Sequence, residues 1–366
     1  MGLPVDVDEA EASPSIFQAL ARRESPVVLR KAAKSWSGGQ PFLENPGVEC
    51  LRTKWRIHPL GLTTVWEADC SVVEASMGQF LDWERSTEPL SPEGDNPFRK
   101  YARNTHWAYA DYKHVKELED DWAKALEPFV DWSVLGCDKA VTDSTLWLGT
   151  GGSHTPLHYD TYGVNMVAQL HGRKKWLLYS PADTAALSPT RVPYEESSVF
   201  SRVDARKPDL GRFPQYSETN TLEVTLEPGD VLFVPKHWWH FVEAMETSLS
   251  VNVWVDAPDD SEDRAKESVV RVLMTSLARG LDTEVGPGWL NPTEEGLWSL
   301  EETLAVARFA FQGLTVKPEE NSSEVGEIAG AWAGGEFSVR ALLNAMTAPD
   351  VLQMIVERIS QRGRVG

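Results

Sequence analysis

Five consecutive residues, Pro156-Leu157-His158-Tyr159-Asp160, restrict this chain more than any other stretch. The segment after Pro156 is too short for a helix and reads as extended. In an extended chain residues i and i+2 share a face, so His158 and Asp160 point at one object while Tyr159 points away. His240 follows 82 positions later, at the end of Val234-Pro235-Lys236-His237-Trp238-Trp239-His240. Upstream of it, Glu227-Pro228-Gly229-Asp230 turns the chain into Val231-Leu232-Phe233-Val234, an apolar strand stopped by Pro235. Two imidazoles and a carboxylate on neighbouring strands are the donor set of a mononuclear non-haem iron(II) site, which leaves three coordination positions open. His154 and His237 lie within four positions of these donors and are alternative ligands or plain surface residues; the Trp-Trp-His ending favours His240.

The surrounding pattern is that of a barrel. Thr145-Leu146-Trp147-Leu148-Gly149-Thr150 mixes β-branched and aromatic residues before Gly151-Gly152, a strand running into a turn. Residues 141–256 are strand-rich and punctuated by Gly and Pro, as an all-β barrel requires. Residues 1–140 mix both types: helix over 15–22 and 73–83, a short buried strand over 26–30, and an amphipathic helix over 113–126 built on Val115, Leu118, Trp122 and Leu126. From 261 onward the spacing is helical, with Val269, Val270, Leu273 and Leu277 on one face, a second helix over 297–311, and a third over 339–359 interrupted at Pro349. The predicted class is α+β, mainly β. Its regions are an N-terminal α/β lead-in (1–97), a barrel (98–258) and C-terminal helices (259–366) with a flexible linker near 314–335.

Composition narrows the partners. A net charge of −20 opposes broad contact with a phosphate backbone and tolerates a basic peptide or protein. Three cysteines, Cys50, Cys70 and Cys137, lack metal-type spacing and suggest a reducing compartment. The acidic N-terminus has no signal-peptide pattern, and no run of 18 apolar residues occurs, so the expectation is the cytoplasm, with the nucleus second. Of the fifteen tryptophans, Trp147 and Trp176 read as barrel core.

The stretch from Ser144 to Trp254 resembles a JmjC domain of the cupin-8 type, a family of iron(II)- and 2-oxoglutarate-dependent oxygenases that includes protein hydroxylases. Residues 191–201, 212–215 and 233–240 place the likeness nearest its small-heat-shock-protein-associated branch. The likeness extends upstream through residues 107–113 and fades before 100 and after about 275. It implies a double-stranded β-helix, the cupin/JmjC jelly-roll barrel, with iron at its open end, and 2-oxoglutarate and dioxygen as cosubstrates. His158, Asp160 and His240 then take the metal positions. Lys174 matches the lysine that pairs with the distal carboxylate of 2-oxoglutarate, and Thr155 a hydroxyl bonding the same group. Asn165 and Asn252 match pocket amides, Trp254 an aromatic of the substrate pocket, and Tyr101 a cosubstrate-contacting tyrosine, with Tyr109 the second choice. The turn between Asp160 and Asn165 is one residue longer than in the asparaginyl hydroxylase.

Each of these residues also has a plain reading. Lys174 and Lys175 fit a solvated basic pair, Asn252 a backbone-satisfying amide, and Tyr101 a half-buried tyrosine. Glu195 and Glu196 fit either exposed acids or contacts to a basic substrate. The implied activity is hydroxylation of a protein side chain, with a small heat shock protein as partner, a role in the stress response, and a homodimer formed through the C-terminal helices. The competing expectations are a non-catalytic scaffold for a chaperone and an oxygenase acting on RNA or a small molecule.

Overall fold

Alternation of side chains on strand after strand separates an inner from an outer face. In β8 (Val164–His171), Val164, Met166 and Ala168 enter one apolar core and Val167 another. β13 (Val231–Val234) splits in the same way, Val231 and Phe233 against Leu232 and Val234. In β15 (Ser248–Val255) and β6 (Thr145–Gly149), Leu249, Val251, Val253, Leu146 and Leu148 take the outer core. Their alternate positions, Ser250, Asn252, Trp254 and Trp147, therefore face inward. A barrel whose inner face carries amides, hydroxyls and indoles is built to hold something polar.

The computed structural model describes residues 8–10, 16, 20, 23–36, 42–87, 90–91, 93–257, 259–280, 289–294, 299–312, 345–347 and 349–362. Among these residues the larger sheet has nine strands in the order β1 (Asp8–Ala10), β2 (Val27–Leu29), β13, β8, β15, β6, β5 (His106–His114), β3 (Arg52–Pro59) and β4 (Ser71–Ser76). The smaller has six, in the order β10 (Pro189–Glu195), β11 (Ser198–Ser201), β7 (His154–Asp160), β14 (Trp239–Ala244), β9 (Lys174–Tyr179) and β12 (Thr221–Leu226). All pairings are antiparallel except β1 with β2. The two sheets face each other across Val28, Val167, Trp176, Leu178, Leu232, Val234 and Val242. This is the double-stranded β-helix, α+β and mainly β.

Both outer faces are covered. The N-terminal region lays Trp55, Phe80, Trp83, Trp122 and Trp132 on the back of the nine-stranded sheet. The excursion between β9 and β12 lays Leu187, Val203 and Tyr216 over Leu157, Trp239 and Phe241. Two expected helices differ. Over 73–83 the chain is strand to Ser76 and helix only from α1 (Met77–Arg85), because Ser76 and Gln79 form a reciprocal capping box. Over 113–126, His114 still belongs to β5, held between β3 and β6, a single 3-10 turn follows, and α2 spans only Asp120–Leu126. Sheet pairing overrides helical spacing there.

By contacts the chain divides into residues 1–257 with 288–295, and 258–287 with 296–366. In the second unit, α3 (Asp260–Gly280) and α4 (Leu300–Gln312) pack through Val272 and Ala307, with Val269, Leu304 and Phe311 around them. The last helix, α5, begins at Pro349 and runs to Arg362, proline standing at its first position. The expected linker near 314–335, most of the expected helix over 15–22, and residues 339–344 of the third helical stretch lie outside the described residues. Among the described residues no helix is long and apolar enough to cross a membrane.

Candidate metal centre

Register brings the two halves of the donor set together. β7 and β14 pair so that His158 stands directly opposite His240, with the ring centroids 4.1 Å apart. Asp160, two residues on, shares the inward face. One donor atom from each of His158, Asp160 and His240 lies within 4.8 Å of the others, and all three side chains are buried.

The hydrogen bonds fix which atoms face inward. His158 Nδ1 lies 2.8 Å from the Pro156 carbonyl, and His240 Nδ1 lies 2.9 Å from the Trp238 carbonyl. A carbonyl only accepts, so both Nδ1 atoms carry a proton, and Nε2 is the nitrogen each ring has left to offer an ion. Burial, reinforced by the facing His240, holds the His158 imidazole well below its usual pKa, so it stays neutral. Asp160 accepts at Oδ2 from Trp254 Nε1 at 3.0 Å and from Asn165 Nδ2 at 3.4 Å. Its backbone carbonyl takes the His237 N–H at 2.9 Å.

Neither alternative histidine is free to bind an ion. His154 accepts the Val65 N–H at Nε2 and donates from Nδ1 to the Gly152 carbonyl, both at 2.9 Å. Burial draws its pKa down to about 4. His237 sits at φ +67° in the turn before β14 and donates from Nε2 to the Thr161 carbonyl. The buried Asp160 carboxylate converges with the two imidazoles, and among the described residues no lysine or arginine pairs with it. The donor set fits a divalent ion with nitrogen and oxygen ligands on one side of it.

Beside this centre lies a charge of the opposite sign. Lys174 at the start of β9 is 2 % exposed. Its ammonium donates to Ser250 Oγ at 2.8 Å and to the Trp147 carbonyl at 3.3 Å, and sits 5.4 Å from the centre of the Tyr109 ring. An ammonium has three N–H groups, and no carboxylate pairs with this one among the described residues. Burial draws its pKa down to about 7, against a smaller upward pull from Asp111. Such a cation calls for a buried anion. Thr155 lies beside the Tyr109 hydroxyl and joins the same corner. Strand alternation alone puts Thr155 on the wrong face of β7. A bulge, in which His240 and Val242 oppose His158 and Thr155, brings it round.

The remaining residues are placed as follows. Asn165 and Asn252 are joined, Nδ2 of Asn252 to Oδ1 of Asn165 at 2.8 Å, next to Asp160. Trp254 meets the Asp160 carboxylate through its N–H. Tyr101 is not brought to this site. It packs on the outer core with its ring 5.4 Å from His106, and its carbonyl accepts from Trp83. Tyr109 occupies the place beside Lys174. The signal was present in Trp107-Ala108-Tyr109-Ala110-Asp111, since Ala108 and Ala110 fill the outer core and send Tyr109 inward. Ser250 gave no signal of its own. Glu195 is buried rather than exposed, accepting from Ser198 Oγ at 3.0 Å and from the Asn291 amide, while Glu196 accepts from Tyr162 at 2.6 Å.

Residues 13–261 match the cupin-like domain family. The chain belongs to that family, in its JmjC branch. It is 43 % identical over 309 residues to an HSPB1-associated protein 1 homolog of Danio rerio, covering 82 % of this chain and 67 % of the relative. Against HSPB1-associated protein 1 of Homo sapiens the identity is 39 % over 307 residues, or 82 % and 61 % of the two chains. Against Lysine-specific demethylase 8 of Danio rerio it is 43 % over 237 residues, or 63 % and 53 %. The chain spans between half and about two thirds of the length of these relatives.

Proposed function

We propose that this protein is an iron(II)- and 2-oxoglutarate-dependent dioxygenase that hydroxylates a protein side chain. The observation that carries the reading is the pairing of two buried features that have no counter-charge among the described residues: the converging donors of His158, Asp160 and His240, and the ammonium of Lys174. Iron(II) held there supplies activation of dioxygen, with 2-oxoglutarate as the co-reductant that leaves as succinate and carbon dioxide. The chain's own residues do the rest. His158, Asp160 and His240 hold the ion from one side. Lys174, with Thr155 and Tyr109, receives the distal carboxylate, where a charged partner and hydroxyl hydrogen bonds replace water. Asn165 and Asn252 line the same chamber.

The names of the relatives support a small heat shock protein as binding partner, and Lysine-specific demethylase 8 keeps a basic side chain among the candidate substrates. A stress-response role, a cytoplasmic location and a homodimer through the C-terminal helices belong to the same reading. Purified protein loaded with iron(II) without oxygen, then exposed to air, converts 2-oxoglutarate to succinate, and Asp160→Ala does not. A captured partner protein gains the mass of one oxygen atom. Folded protein that neither binds 2-oxoglutarate with metal nor turns it over would instead be a non-catalytic scaffold.

A further inference from the structure

The inner wall of the nine-stranded sheet carries a chain of side-chain hydrogen bonds whose direction is fixed from end to end. Trp147 Nε1 donates to Asn252 Oδ1 at 2.7 Å. An indole N–H only donates, so the amide oxygen of Asn252 must face Trp147 and its nitrogen must face away. That nitrogen donates to Asn165 Oδ1 at 2.8 Å, which turns the Asn165 nitrogen toward Asp160 Oδ2, 3.4 Å away. Trp254 Nε1 reaches the same oxygen at 3.0 Å from the neighbouring strand, since Trp254 and Asn165 are register partners on β15 and β8. Neither amide can flip without placing two donors face to face. The oxygen Oδ2 is thus held by two N–H groups from two strands, and among the described residues Oδ1 accepts no side-chain hydrogen bond.

We propose that Trp254, with Asn165 behind it, is a positioning residue that limits Asp160 to one metal-binding oxygen. The assignment rests on the metal centre described above and gives Trp254 a task other than lining a substrate pocket. A carboxylate free to rotate can close on an ion with both oxygens and fill a coordination position. Pinning Oδ2 keeps that position open for a chelating cosubstrate and orients Oδ1. Partners of metal ligands in comparable sites change affinity by about 10–100-fold when removed. Asn165 and Asn252 then act through Asp160, and Trp147 anchors the row while its carbonyl touches Lys174.

The test uses cobalt(II), which reports coordination without turnover. Trp254→Phe keeps an aromatic ring and deletes the N–H. Expected are a dissociation constant for cobalt(II) raised about tenfold, altered visible ligand-field bands, and a metal-free melting temperature close to that of the native chain. Asn165→Ala removes the second donor from the opposite strand, gives the same spectral change, and decides the matter should Trp254→Phe not fold. Native affinity and native bands in a folded variant overturn the assignment and leave the metal centre standing. No cobalt binding by the native chain overturns the centre and this assignment with it.

Discussion

Lys174 shows how a single residue can lower stability for the sake of binding. An ammonium 2 % exposed, with a hydroxyl and a carbonyl but no carboxylate, is costly to charge. Its pKa falls to about 7 in the folded chain, whereas the unfolded chain keeps the ordinary lysine value. Between these two values the unfolded chain binds more protons, so this residue makes folding stability rise with pH from about 7 upward. The penalty is complete below that range. Lys174→Met, which fills similar space without charge, is therefore expected to raise the metal-free melting temperature by several degrees at pH 6.5. The gain shrinks toward pH 10. The same variant loses at least ~30-fold in 2-oxoglutarate affinity, because the ligand's carboxylate is then buried without a partner. Calorimetric melts across pH and a binding titration measure both. A variant less stable at pH 6.5 would show that Lys174 is a structural hydrogen-bond donor.

At the scale of elements, turns and bulges place the site, and they divide what was legible from what was not. Gly172 in the β8–β9 turn has φ +57°, and a side chain there would run into the Thr247 carbonyl oxygen. Gly172→Ala is expected to cost about 2–3 kcal/mol from left-handed strain plus displaced backbone. Because Lys174 lies two residues on, the variant also weakens 2-oxoglutarate binding several-fold, while cobalt binding at His158, Asp160 and His240 persists. Denaturant melts and paired titrations separate these effects. The i, i+2 relation of His158 and Asp160 was readable because strand geometry is local. The bulge in β7 that turns Thr155 inward was not, since it depends on how β14 pairs across it. Resemblance named Thr155 where spacing could not. The same nonlocality hid the strand before Ser76 and the reach of β5 to His114, whereas the period-two pattern that turns Tyr109 toward Lys174 is local. Glu195 looked like an exposed acid because the segment that buries it lies almost a hundred residues away.

At the scale of the first unit, that distant segment packs on the hairpin that pairs with the Asp160 end of β7. Leu290 bridges Tyr194, the Asn291 N–H donates to the Tyr194 carbonyl at 2.8 Å, and the Glu196 N–H donates to Glu294 at 2.8 Å. The Asn291 side chain donates to Glu195 and lies close enough to Glu67 to lower its pKa, drawing residues from two other stretches to the β10–β11 hairpin. Ser198, which donates to Glu195, is the register partner of Asp160. Burial raises the pKa of Glu67 and of Glu195, and the charge of Glu67 raises Glu195 further, while Arg56 between Asp111 and Glu67 pulls Glu67 back. Groups with raised values bind more protons folded than unfolded, so their contribution is whole in acid and is lost as pH climbs past the ordinary carboxylate range. Glu195→Gln removes one of the two charges and keeps the shape. It is expected to stabilise the protein at pH 8 by about 1–2 kcal/mol, to change little at pH 5, and so to flatten the decline between them. Denaturant melts at the two pH values decide this. Equal destabilisation at both would mean that the charged form of Glu195, accepting from Ser198, Asn291 and Thr293, is the one that holds the segment in place.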